Sequence, residues 1–217
     1  MPEPRNYEEI LARKLMPGRD LRIEFGDSKI DQCLLIAPHG GGIEPGTSEI
    51  MRAVAMLGDY AWYDFAGFLR QGNKESLHIT STRFNEQTLL MLLPQTKFVV
   101  AFHGAEGVGQ PLACVGGKWK RGRETVVEAI NSTSAEHGVT ALDATEGSHG
   151  LHLRGLDDDN LTNRGKSGEG VQIEFSREAR NLLFPPNASR EARGRRSVHL
   201  RPLARALHQA IQRLCQA

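Results

Sequence analysis

The chain reads as a single α/β domain with three layers, α/β/α, around a mixed, largely parallel central sheet. Three observations predict this. Apolar runs of strand length alternate with helical patterns along the 217 residues. The runs ending at His39 and His103 are apolar almost throughout, as strands covered on both faces are. The last stretch, "SVHLRPLARALHQAIQRLC", repeats Leu200, Leu203, Leu207, Ile211 and Leu214 at helical spacing, which makes an amphipathic C-terminal helix with Pro202 in its first turn.

Taken in order, the strand candidates are "LRIEF", "CLLIAPH", "AWYDFAGF", "LHITSTRF", "KFVVAFHG", "LACVGG", "GVTALDA" and "GVQIEFS", several of them flanked by glycine or polar turn residues. Between them, Thr47 or Ser48 is placed to cap a helix running to about Leu57. Glu86 to Leu93 reads as a short helix and residues 121–137 as a longer one. The biased segment "SREARGRRS", residues 189–197, reads as a solvated loop before the last helix.

Composition narrows the function. Lys and Arg total 27 against 26 Asp and Glu, so no whole-molecule field favours nucleic acid or a membrane surface, and charge-based recognition must be local. No apolar run reaches the roughly 20 residues that span a bilayer, and "MPEPRNYEEILARKL" lacks the apolar core of a signal peptide. The expectation is a monomeric chain, cytoplasmic as synthesised. Cys33, Cys114 and Cys215 are odd in number and lack a CxxC pair, which argues against a disulfide framework or a cysteine zinc site. Cys33 and Cys114 read as small buried apolar residues.

Chemistry gathers where two of the strands end. In "LLIAPHGGGIEPGTSEI" an apolar strand stops at His39, and Gly40, Gly41 and Gly42 give the loop freedom to fold back and bring Glu44 beside it. "KFVVAFHG" also ends in a histidine, His103, which stands at the same sheet edge if the two strands are neighbours. Two imidazoles and one carboxylate form a catalytic zinc set with a coordination position left for water. The competing reading, an esterase-like HGGG oxyanion loop, requires a GxSxG nucleophile that the sequence lacks.

In "GVQIEFSREAR" the period-two rule puts Gln172 and Glu174 on one side of a strand and Val171, Ile173 and Phe175 on the other. Glu174 is then either a general base raised in pKa by burial or the partner of a nearby arginine such as Arg177. Asn163-Arg164, in the polar loop ahead of that strand, offers neutral hydrogen bonds and a bidentate fork for a carboxylate. Arg83, at the end of "LHITSTRF", is a strand-terminal cation for substrate or oxyanion, or else an ordinary surface ion pair. His149 and His152 read as loop residues.

Together "APHGGGIEPGTSEI", "LHITSTRF", "FHG" and "NRGKSGEGVQIEFS", in that order, resemble the poly-γ-glutamate hydrolases of bacteria and their phages, a branch of the zinc carboxypeptidase-like α/β fold. The resemblance runs from about residue 20 to the C-terminal helix. It implies one catalytic domain over residues 1–217, zinc held by His39, Glu44 and His103, and Glu174 as the catalytic carboxylate. It also implies that Asn163 and Arg164 grip a substrate carboxylate. Four residues separate His39 from Glu44, where many carboxypeptidase-like enzymes have two. The expected activity is zinc-dependent hydrolysis of γ-glutamyl amide bonds in poly-γ-glutamate, with Arg83 or Arg164 helping zinc hold the oxyanion. The alternatives are the same chemistry on another γ-glutamyl or N-acyl amino acid substrate, or a non-catalytic module that binds anionic polymer.

Overall fold

The computed structural model describes residues 2–146, 153–184 and 198–216, so His149, His152 and the arginine-rich segment 189–197 lie outside the described residues. Strands β1 (Leu21–Gly26), β2 (Cys33–Gly41), β3 (Ala61–Gly67), β4 (Phe98–Gly104), β5 (Leu112–Gly116), β6 (Thr140–Asp143) and β7 (Val171–Phe175) form one sheet in the order β1-β3-β2-β4-β7-β5-β6. β3, β2, β4 and β7 run parallel at its centre; β1 pairs antiparallel with β3, and β5 antiparallel with β7. The sheet is mixed and mostly parallel, as expected.

Period-two burial explains the layers. Cys33, Leu35 and Ala37 of β2, Phe98, Val100 and Phe102 of β4, and Val171, Ile173 and Phe175 of β7 share one core. That core is covered by α2 (Thr47–Gly58), α5 (Lys120–Ser132), α7 (Arg177–Leu183) and α8 (Leu200–Cys215). Leu34, Ile36, Val99 and Ala101 face the other way and pack with Ile10, Leu77, Leu89 and Leu92 from α1 (Tyr7–Ala12), α3 (Asn73–Leu77) and α4 (Gln87–Leu92). All five apolar residues that define the C-terminal helix in the sequence are buried in α8, each contributing about 1.5–3 kcal/mol by leaving water.

Local departures from the sequence reading have physical causes. "LHITSTRF" is not a strand: His78 caps the C-terminus of α3 and Thr80–Arg83 close a turn through Arg83 N–H to the Thr80 carbonyl, 2.8 Å. Its apolar residues anchor the loop instead, with Ile79 and Phe84 buried. Neither Thr47 nor Ser48 caps α2. Its N-cap is Gly46, while the Thr47 hydroxyl donates to the Glu44 carbonyl and that of Ser48 to Asp64. The long helix expected over 121–137 breaks at Thr133, and α6 (Ser134–His137) follows. Cys33 and Cys114 are buried, as expected.

Candidate active site and metal centre

Adjacent parallel strands β2, β4 and β7 end side by side, and they carry His39, His103 and Glu174. His103 and Glu174 are direct register partners. Both lie on the same side as Val99 and Ala101, so they open toward the α3 side of the sheet. A regular β2 would send His39 to the opposite face with Leu35 and Ala37. The register shift between Ala37 and Gly40 interrupts that alternation, and His39 joins His103.

The glycines have two distinct duties. Gly41 has a φ of 64°, open to glycine at no steric cost, and this turns the chain. Gly40 and Gly42 serve close approach instead: a Cβ on Gly40 would lie 2.0 Å from an Asp64 carboxylate oxygen. The loop then closes through Glu44 N–H to the His39 carbonyl, 2.9 Å, which returns the Glu44 side chain to His39. Gly104 must also lack a side chain, because its Cβ would meet Glu44 and Arg180 at about 3 Å, and its N–H donates to Glu44 Oε2 at 2.8 Å.

Within this cluster His39 Nδ1 lies 3.1 Å from Glu44 Oε1 and 3.2 Å from His103 Nδ1, and His103 Nδ1 is 3.7 Å from Glu44 Oε2. His39, Glu44 and His103 are 2%, 7% and 3% exposed, so water does little to screen their contacts. The His39 Nε2 atom lies 2.8 Å from the Ile79 carbonyl, which can only accept, so Nε2 carries a proton. In the neutral ring Nδ1 is therefore a lone pair aimed at a carboxylate oxygen. Two such acceptors in contact require a cation, either a proton or a metal ion. His103 Nε2, buried and without a hydrogen-bond partner among the described residues, is a further donor atom with no protein ligand.

The structure adds one histidine that sequence reasoning passed over. His78 brings its ring centroid to 4.1 Å from that of His39 and its Nε2 to 3.7 Å from Glu44 Oε1. The ligand atoms of His39, Glu44 and His78 lie within 4.8 Å of one another, a group able to hold a metal ion. Its signal in the sequence is a histidine beside an isoleucine in "LHITSTRF", but only the fold of α3 and its following turn shows where it points. His78 Nδ1 is engaged by Glu3, 2.9 Å away.

Electrostatics follow from burial and charge. Burial opposes ionisation of Glu44, yet His39 and His103 outweigh it and hold the carboxyl well below its usual range. Burial, with His39 beside it, lowers His78 to about 4, so its ring is neutral at physiological pH. Burial pushes the Glu174 carboxyl up, against the pull of His103. Glu174 also accepts a hydrogen bond at Oε1 from Gln172 Nε2, 3.3 Å. The orientation of Gln172 is fixed, since Nε2 also donates to the Leu153 carbonyl at 2.9 Å and Oε1 accepts from Asn160 at 3.1 Å. Arg177 pairs with Glu106, which removes it as the salt-bridge partner considered for Glu174.

These groups line a cavity of about 650 Å³ that includes His39, Glu44, His78, His103, Gln172 and Glu174. Arg83 and Arg164 are exposed and outside its wall. Asn163 is buried, its amide donating to the carbonyls of Gly155 and Asp157, both at 2.8 Å, and its oxygen accepting from Lys118 N–H at 3.2 Å. The structure thus gives Asn163 the work of fastening a loop. Of the expected site residues it brings together His39, Glu44, His103 and Glu174, and leaves Arg83, Asn163 and Arg164 away from the cavity wall.

Residues 5–206 match the family described as poly-gamma-glutamate hydrolase. The chain belongs to this family. Family relatives include YmaC of Bacillus subtilis (strain 168), 34% identical over 189 residues that cover 84% of this chain and 75% of the relative. The structure of a bacteriophage poly-gamma-glutamate hydrolase superposes with a TM-score of 0.87 at 30% identity, covering 98% of both chains. YndL of Bacillus subtilis (strain 168), in a zinc-free apo form, gives 0.83 at 27% identity, again over 98% of both. These likenesses bear out the α/β fold and the family resemblance carried by the His39, His103 and Glu174 motifs.

Proposed function

We propose that the protein is a zinc-dependent hydrolase that cleaves γ-glutamyl amide bonds of poly-γ-glutamate. One observation carries the reading: His39 Nδ1, His103 Nδ1 and the Glu44 carboxylate converge within 3.1–3.7 Å in a site that also holds Glu174. Zinc bonds of about 2.0–2.1 Å set tetrahedral donors roughly 3.3 Å apart, which these separations fit. The zinc-free form of the similar YndL supports zinc as the ion. His39, Glu44 and His103 are the proposed ligands. His103 is preferred to His78 because it is the more buried and its Nδ1 lies 3.2 Å from His39 Nδ1 and 3.7 Å from Glu44 Oε2.

When bound, the zinc ion would supply Lewis-acid polarisation of the amide carbonyl and lower the pKa of water. The remaining work falls to the chain. Ile79 fixes the His39 tautomer, and Gly104 N–H orients Glu44, the backing that metal ligands need. Gln172 occupies Glu174 Oε1, so Oε2 is the atom that takes the proton from the attacking water and returns it to the leaving nitrogen. Burial raises the carboxyl toward the range in which a base works near neutral pH.

The test combines metal analysis of protein purified without chelator with the chain length of incubated poly-γ-glutamate. Shortening that stops on chelation and returns with zinc is expected. Polymer that binds but keeps its length would make the protein a binding module. Turnover confined to other γ-glutamyl or N-acyl amino acid substrates would overturn the substrate assignment alone.

A further inference from the structure

We infer that Lys74 and Arg177 form a carboxylate subsite at the mouth of the cavity, filled in the free protein by the side chain of Glu106, which a polyanionic substrate displaces; this deepens the proposed function and rests on it. In a γ-linked polymer every residue keeps its α-carboxylate beside the amide, so a site that cuts the chain meets an anion next to each bond it attacks. The cavity wall opposes such a substrate, because Glu3, Glu44, Glu106, Asp157 and Glu174 all line it. Cations at the entrance have to offset that repulsion.

The side chains that do so are placed by their contacts with one another. Lys74 lies in α3, and its carbonyl accepts from His78 N–H at 3.0 Å, so the two residues sit one helical turn apart on the same face. His78 in turn reaches Glu44, 3.7 Å away. Glu106 stands on the loop that leaves β4, and Arg177 is the first residue of α7, just beyond the end of β7. Glu106 Oε1 lies 3.2 Å from Lys74 Nζ, and its Oε2 pairs with Arg177 Nη2. One carboxylate thus bridges two cations, an oxygen to each, as a substrate carboxylate would. Lys74, and after it Arg177, hold the Glu106 carboxyl below its usual range, so it is ionised at neutral pH. The backbone beneath it is fixed, because Ala105 N–H donates to the Phe175 carbonyl at 2.9 Å and the Ala105 carbonyl accepts from Arg180 at 2.8 Å. The side chains are not: those of Glu106, Lys74 and Arg177 are 69%, 45% and 61% exposed, and ion pairs so open to water are weak and exchange readily. Exchange for a substrate carboxylate leaves Lys74 and Arg177 with the same chemical partner and takes one negative charge off the wall.

The test measures Kd for poly-γ-glutamate, and for the same polymer with its α-carboxylates converted to amides, in zinc-loaded Glu174→Gln carrying in addition Glu106→Gln, Lys74→Gln, Arg177→Gln or Glu124→Gln. Glu124 pairs with Lys120 on α5, outside the cavity wall, so its change alters the net charge as Glu106→Gln does but away from the site. At low salt Glu106→Gln should tighten binding of the carboxylate polymer by about 2- to 5-fold, and Lys74→Gln and Arg177→Gln should each weaken it by a similar factor. All three effects should shrink in ~0.5 M salt and be absent with the amide polymer, while Glu124→Gln changes nothing. The gain from Glu106→Gln should also vanish once Lys74→Gln and Arg177→Gln are added to it. Unchanged or weaker binding in Glu106→Gln, a gain matched by Glu124→Gln, or losses at Lys74 and Arg177 that persist on the amide polymer would overturn the subsite. Polymer that the parent binds but does not shorten would refute the proposed activity, and the Kd comparison would still decide the role of Lys74, Glu106 and Arg177.

Discussion

Glu174→Gln isolates proton transfer from every other duty of the site. The side chain keeps its length, and its amide oxygen can still accept from Gln172 Nε2 in place of Oε1, 3.3 Å away in the parent. What changes is the second oxygen, which becomes an NH2 group that cannot take a proton from water. General-base assistance is worth about 10²–10⁴-fold, so kcat should fall by at least that range while KM stays within a few-fold. Zinc per chain should equal the parent, because the proposed ligands His39, Glu44 and His103 keep their contacts with one another. Stability gives an independent sign. Burial raises the native Glu174 pKa above that of the unfolded chain, so ionised Glu174 costs stability at neutral pH. That cost is absent below the unfolded value of about 4.3 and appears as pH rises through it. Metal-free Glu174→Gln should therefore melt at least as high as the metal-free parent at pH 8, the two converging toward pH 4. Near-normal kcat with full zinc would show that another group activates the water. A lower melting temperature, or zinc lost in step with activity, would make Glu174 structural or a ligand.

The other predictions concern the groups around it. His39→Ala or His103→Ala should each remove most zinc and activity with the fold intact by circular dichroism, whereas His78→Ala should retain more metal than either; stoichiometric zinc in both of the first two would end the ligand assignment. Gln172→Leu removes the hydrogen bond that occupies Glu174 Oε1, so kcat should drop roughly tenfold without loss of zinc, and an unchanged kcat would free the base from this support. Arg180→Met deletes bonds to the carbonyls of Phe175, Pro45 and Ala105, which tie the Glu44 loop to the ends of β4 and β7. Zinc affinity, read by competition with a chelating dye, should weaken by about 10- to 100-fold, and an unaltered affinity would show that the Glu44 loop holds itself.

What the sequence made legible and what it hid divide along one line. Period-two burial in β2, β4 and β7 is written residue by residue, so strand identity, the two-sided core and the common orientation of Gln172 and Glu174 could be read directly. His39 and His103 were readable as strand ends because glycine follows each and marks where the ladder stops. His39 nonetheless reaches His103 only through an irregularity of β2 against β3 that no period predicts. The same limit hid His78. In "LHITSTRF" the alternation of apolar and polar residues imitates a strand, but Ile79 and Phe84 are anchors that pin a turn to the core. A strand would have carried Arg83 to the sheet edge; the turn leaves Arg83 exposed and presents His78 to Glu44. Asn163 lies away from the cavity wall for a related reason: a polar residue ahead of β7 looks like a ligand, whereas the loop at 155–163 has carbonyls that need donors, and Asn163 supplies them. Side chains that answer to a repeating pattern can be placed from sequence, and those that answer to a neighbouring loop's unsatisfied backbone cannot.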